Sequence, residues 1–130
     1  MNASTTVLLL EDNIYDAEII LHELRKQGLD FVEICANNKE QFLEGLKKKP
    51  DIILADYSLP QFTASEALKL MHELGYDIPV IAISGMIGEE LAVEMMRLGA
   101  SDYLMKDRLG RLSTAVATAL ESAELRRINE

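Results

Sequence analysis

Four positions in the chain carry residues able to do chemistry, and each follows a short apolar run. They are Glu11-Asp12, Asp56, Ser84-Gly85 and Lys106. Glu11, Asp12 and Asp56 packed together would repel, and without a counterion at least one would keep its proton. A hard divalent cation removes that conflict, and an all-oxygen site with few protein ligands suits Mg2+, which retains several waters. A lysine and a hydroxyl beside such a cation complete a cradle for a dianionic phosphoryl group. The chemistry indicated is phosphoryl transfer with an aspartate as nucleophile. Each piece alone has an ordinary explanation: Glu-Asp after a strand often caps a helix, and a single Asp or Lys at a strand end is common. The weight lies in all four positions agreeing in chemical type.

Those residues meet only if the chain brings the ends of its apolar runs to one edge. The runs are Val7 to Leu10, Phe31 to Ala36, Asp51 to Ala55, Pro79 to Ile83 and Asp102 to Leu104. Continuous aliphatic runs of this length predict strands of a parallel sheet covered on both faces. Cys35, inside the second, is expected to be a small buried core residue. Between the runs the period is helical. Ile14, Ala17, Leu21 and Leu24 share one face of a helix stopped at Gly28, and Phe42, Leu43 and Leu46 mark a helix begun by Asn38. Thr63 to Glu66 reads as a capping box opening a helix through Ala67, Leu68, Met71 and Leu74 to Gly75. Glu89 and Glu90 suit the positive end of a fourth helix closed by Gly99. The fifth is expected from about Leu109 to about Arg127, with Leu125 and Ile128 off its apolar stripe.

Five strands alternating with five helices predict an α/β doubly wound domain. With five strands and no Gly-x-Gly-x-x-Gly after the first, the flavodoxin-like order 2-1-3-4-5 is favoured over a dinucleotide-binding arrangement. In that order strands 1 and 3 flank the switch point, where ligands bind beyond the strand ends. Glu11, Asp12 and Asp56 then converge.

The composition narrows the function classes. The 130 residues suit one domain, taken as residues 1–130, and 48% hydrophobic with 27% charged residues can build a core. Thirteen basic against 22 acidic residues, a net charge of −9, argue against direct nucleic-acid binding. A single cysteine excludes a disulfide framework and a cysteine-built zinc site. There is no apolar run long enough for a membrane span, and Met1 to Ser4 lacks the start of a signal peptide, so a soluble cytoplasmic protein is expected. His22 and His72 read as ordinary solvated helix residues. Lys47-Lys48-Lys49 reads as a cationic helix end before Pro50.

Over essentially its whole length the chain resembles the receiver domain of two-component response regulators. The resemblance is carried by Leu9-Leu10-Glu11-Asp12-Asn13, Asp56-Tyr57-Ser58-Leu59-Pro60, Ile83-Ser84-Gly85 and Gly99 through Lys106. It implies the same 2-1-3-4-5 order and a phosphoacceptor domain, not an enzyme in its own right. By the resemblance Asp56 accepts a phosphoryl group from a phosphohistidine on a histidine kinase or histidine phosphotransfer protein. Asp12, Asp56 and the Ser58 backbone carbonyl hold Mg2+, with Glu11 acting through a metal-bound water. Lys106 pairs with the phosphoryl oxygens, Ser84 supplies the switch hydroxyl, and Tyr103 follows into the space that Ser84 vacates. The surface changed would be the fourth helix, fifth strand and fifth helix. A downstream output domain or protein, or a second copy of the chain, would read it. Met86, Met95, Met96 and Met105 lie on or near that surface.

Departures from the family pattern are informative. Asp107 stands where the family usually has a proline after the lysine, which predicts a trans Lys106-Asp107 peptide, because a non-proline cis bond costs about 2.5–4 kcal/mol. Gln61-Phe62-Thr63-Ala64 replaces a glycine-rich turn after Pro60, and Ser84 replaces the commoner threonine. Other classes compete. Aspartate-nucleophile phosphatases and phosphotransferases need a second Asp two residues on, where this chain has Ser58. Toprim-type enzymes are disfavoured by the same residue and by the charge. A degenerate receiver acting as a phosphorylation-independent interaction module is the remaining alternative, disfavoured because every site residue is present.

Overall fold

The computed structural model describes residues 4–57, 59–85 and 88–128. Strands and helices alternate as β1 (Thr5–Leu10), α1 (Ile14–Lys26), β2 (Phe31–Ala36), α2 (Lys39–Lys47), β3 (Ile52–Asp56), α3 (Ala64–Leu74), β4 (Val80–Ser84), α4 (Glu89–Arg97), β5 (Asp102–Met105) and α5 (Leu112–Ile128). All pairings are parallel and the sheet order is β2-β1-β3-β4-β5, as the sequence predicts.

The period-2 alternation of the central strands divides the core in two. Leu8, Leu10, Ile53, Ala55, Val80 and Ala82 pack against Phe42 and Leu46 of α2, Leu68 and Met71 of α3 and Met95 of α4. Val7, Leu9, Ile52, Leu54, Ile81 and Ile83 pack against Ile20, Leu21 and Leu24 of α1 and Leu112 and Val116 of α5. Right-handed crossovers on either side of β1 place the helices this way. β3 and β4 are buried at every position, as strands covered on both faces should be.

The edge strands differ. β2 is buried only at Ala36, and Cys35 is exposed, contrary to the expectation of a core cysteine. Its register partner Leu9 lies under the α1/α5 layer, but β2 stands at the margin, where that layer does not cover it. Ile14 is also exposed, because the first turn of α1 follows β1 beyond the strand ends; Ile20 joins Leu21 and Leu24 on the buried face instead.

Local chemistry explains the boundaries. Asn13 caps α1 by accepting from the Tyr15 and Asp16 N–H groups, at 2.9 and 3.1 Å. Asn38 caps α2, and the Thr63/Glu66 capping box opens α3. The αL residue Gly75 (φ 79°) ends α3. α5 begins at Leu112, later than the sequence suggests, because Leu109 closes a preceding turn instead. Its carbonyl accepts from the Leu112 N–H at 3.1 Å and from Gln27 Nε2 at 2.9 Å, while Gln27 Oε1 accepts from the Ser113 N–H at 2.7 Å. The last residue region of α1 therefore supplies the N-terminal cap of α5. No cis peptide occurs among the described residues, so Lys106-Asp107 is trans as expected. In the turn after Pro60, Phe62 is buried and meets Phe42 with ring centroids 5.4 Å apart, an anchor in place of glycine freedom.

α2 approaches β1 closely through Gly45. A Cβ there would lie 2.6 and 3.1 Å from the two methyls of Leu8, which is itself fully buried. Gly45→Ala should therefore destabilise by about 1–2 kcal/mol despite alanine's better helix propensity, since overpacking costs about 1–3 kcal/mol. A lower urea midpoint at unchanged slope is expected. A higher midpoint would show that Leu8 turns aside at little cost.

Candidate functional site

The parallel sheet delivers every strand end to one edge. β1 runs out into Glu11, whose N–H extends the ladder to the Ala36 carbonyl at 3.0 Å. Asp56 is the last residue of β3 and Ser84 the last of β4. Beside Ser84, Met105 ends β5, and the Lys106 N–H donates to the Ser84 carbonyl at 2.8 Å. Glu11 and Asp56 are each 3% exposed and Ser84 is fully buried, whereas Asp12 is exposed. Glu11, Asp12 and Asp56 each present a carboxylate oxygen within 4.8 Å of the others.

Lys106 reaches into this cluster. Its Nζ stands 2.8 Å from Glu11 Oε1, 2.8 Å from Asp16 Oδ2 and 3.3 Å from Asp56 Oδ2. Burial lowers the affinity of the amine for its proton, but the bonds to Asp16 and Glu11 and the charge of Asp56 outweigh this and hold it well above its ordinary range. Lys106 is thus a fixed cation. Burial and then the neighbouring Asp56 push Glu11 up to about 7, with Lys106 only partly opposing them. The Oε1 atom of Glu11 is buried and, apart from the ion pair, makes no aligned hydrogen bond. Its Oε2 accepts from the Asn13 N–H at 3.3 Å.

These features fit a hard divalent cation. Three carboxylate oxygens are close together, one buried oxygen is under-satisfied, and burial together with the neighbouring Asp56 has raised a proton affinity that a cation would oppose. The Ser58 carbonyl expected to join them lies outside the described residues, as does Met86. Asp16 is a member of the cluster that the sequence reading missed. It sits in the first turn of α1, where an acid is already accounted for by the helix dipole.

Ser84 and Tyr103 share a sheet face. Val80, Ala82 and Ser84 alternate toward the α2–α4 layer, and Tyr103, in register with Ala82, packs half-buried against the same core. Of the methionines, Met95 is core, Met105 is half-buried, and Met96 is exposed on α4. His22 and His72 are exposed helix residues, as expected. Among the described residues no helix is long and apolar enough to cross a membrane.

A doubly wound sheet with an acidic trio and a lysine at its carboxyl edge defines a class of site suited to cation and phosphoryl chemistry. Comparison with known proteins narrows this. The model of the response regulator receiver domain family matches residues 7–117. The chain is 35% identical over 116 residues to the regulatory protein LuxO of Vibrio cholerae, spanning 88% of this chain and 25% of that one. It is 30% identical over 102 residues to a protein-glutamate methylesterase/protein-glutamine glutaminase of Archaeoglobus fulgidus, spanning 77% of this chain and 29% of that one. The chain thus covers under a third of these two relatives. A response regulator receiver domain protein from Clostridium thermocellum superposes with a TM-score of 0.81 at 21% identity, over 93% of this chain and 98% of that one, a likeness of fold. The chain belongs to the response regulator receiver domain family.

Proposed function

We propose that this chain is a single receiver domain in which Asp56 accepts a phosphoryl group from a phosphohistidine on a histidine kinase or histidine phosphotransfer protein. The observation carrying the reading is the buried Asp56 carboxylate at the strand edge, with Lys106 Nζ 3.3 Å away and two further carboxylates beside it. An Asp56 carboxylate oxygen attacks phosphorus, the P–N bond to imidazole breaks as the P–O bond forms, and the imidazole leaves having taken up a proton. Asp12 and Asp56 would hold Mg2+ directly, with the Ser58 carbonyl as a further ligand and Glu11 acting through a metal-bound water. The cation supplies charge neutralisation to the phosphoryl oxygens. Lys106 supplies a second positive charge, already aimed at Asp56.

Ser84 and Tyr103 are the switch. The Ser84 hydroxyl turns toward the new phosphoryl oxygens and Tyr103, on the same face, follows, altering the α4–β5–α5 surface that an output domain, an output protein or a second copy would read. The chain is a phosphoacceptor, and it works in the cytoplasm with its kinase and output partner.

Intact mass after incubation with acetyl phosphate and Mg2+ tests this. One phosphoryl adduct is expected, absent in Asp56→Asn and absent after chelation. An adduct that survives in Asp56→Asn would place the acceptor elsewhere. Measurable Mg2+ binding with no adduct from either acetyl phosphate or a phosphohistidine protein would favour an interaction module that works without phosphorylation.

A further inference from the structure

The three carboxylates around Lys106 are not equivalent. Glu11 and Asp56 belong to the trio that can close on one cation; Asp16 does not. The ammonium nonetheless donates a hydrogen bond to Asp16 Oδ2, at 2.8 Å across 90 positions of chain. Asp16 is also firmly placed, because its own N–H is held by the Asn13 cap at 3.1 Å in the first turn of α1. A dipole-complementing acid would need neither a distant cationic partner nor that aim.

We propose that Asp16 is a positioning residue that gives Lys106 a seat outside the metal trio, so that the ammonium yields Glu11 and Asp56 to a divalent cation without leaving the pocket. The inference deepens the receiver reading and rests on it. With Asp16 present, Lys106 keeps a counter-anion when Glu11 and Asp56 are engaged. Without it, the ammonium keeps only those two carboxylates among the described residues, and it competes with the cation for them.

The test is a double-mutant cycle read as Mg2+ affinity, measured by isothermal titration calorimetry. Asp16→Asn should weaken Mg2+ binding about tenfold when Lys106 is present. In a Lys106→Met background the same change should weaken it no more than about twofold, the non-additivity expected of groups in direct contact. Equal losses in the two backgrounds would make Asp16 a plain contributor of charge and overturn the proposal. A second readout needs no Lys106 substitution. The 15N resonance of Lys106 Nζ should keep its hydrogen-bonded position through a Mg2+ titration of the unmodified chain, and move to the solvent-averaged position in Asp16→Asn. An Nζ resonance that behaves alike in both proteins would also overturn it. No Mg2+ binding by the unmodified chain would overturn the cation site and this role together, whereas normal binding without coupling removes only the role of Asp16.

Discussion

In the absence of divalent cations, the stability of this chain should fall as pH rises from about 4.5 to about 7, and Glu11→Gln should remove most of that fall. The folded chain holds the Glu11 proton up to about pH 7, while the unfolded chain releases it near 4.5. Between those values the native state binds the extra proton, so its advantage is complete below the lower value and is lost as pH climbs through the upper one. The gap corresponds to a loss of about 3 kcal/mol, of which burial is the largest cause and the neighbouring Asp56 the next. Asp102 works in a separate window. Burial raises its proton affinity, but the bonds from Arg111 and the Tyr103 N–H prevail and hold it below the usual range, so its contribution is lost only under more acid conditions. Excess Mg2+ should restore stability above pH 7, because a ligand bound only by the native state stabilises it and a cation in the trio favours ionised Glu11. Urea unfolding across pH, with and without Mg2+, checks this. A flat profile between pH 4.5 and 7, or the same slope in Glu11→Gln, would mean that Glu11 is ionised in the folded chain like an exposed carboxylate.

The convergence of these side chains at one edge was readable from sequence because a parallel sheet converts a linear rule into a spatial one. Whatever follows each strand lies at the same edge, so Glu11, Asp56, Ser84 and Lys106 could be placed together from their positions after apolar runs. Asp16 escaped because its position already had a sufficient local explanation at a helix N-terminus, and nothing in the spacing points to a lysine 90 residues away. Gln27 escaped for a related reason. It ends α1, yet its amide caps α5, a relation that exists only once those helices lie on the same sheet face. The burial of β3 and β4 followed from composition, but Cys35 did not, because whether a strand is central or at the margin is a property of the order of strands. In sequence the turn after Pro60 shows only that the family's glycines are replaced. Its physical content is an anchor, Phe62 against Phe42, visible only when α2 and that turn are brought together.

Replacing Lys106 by Met should destabilise the cation-free chain by about 3 kcal/mol at pH 8 and by much less at pH 5, because removing one partner of a buried ion cluster strands the others. Lys106 is the cation facing Glu11, Asp16 and Asp56, two of which are 3% exposed. Its amine is held above the ordinary lysine range, so it stays charged at both pH values and the pH dependence of the loss belongs to the carboxylates. At pH 5 Glu11 keeps its proton, and the cluster needs its cation less. At pH 8 Glu11 is ionised and faces Asp56 without that ammonium. Methionine retains most of the apolar stem, so the comparison isolates charge more cleanly than alanine would. Mg2+ at saturating concentration should recover a large part of the pH 8 loss, since a divalent cation held at the acidic trio would supply the missing positive charge. Urea midpoints of the two proteins at pH 5 and pH 8, with and without Mg2+, decide the matter. A loss of equal size at both pH values and insensitive to Mg2+ would show that Lys106 stabilises this edge through the packing of its stem. Its charge would then matter only when a phosphoryl group is there to be held.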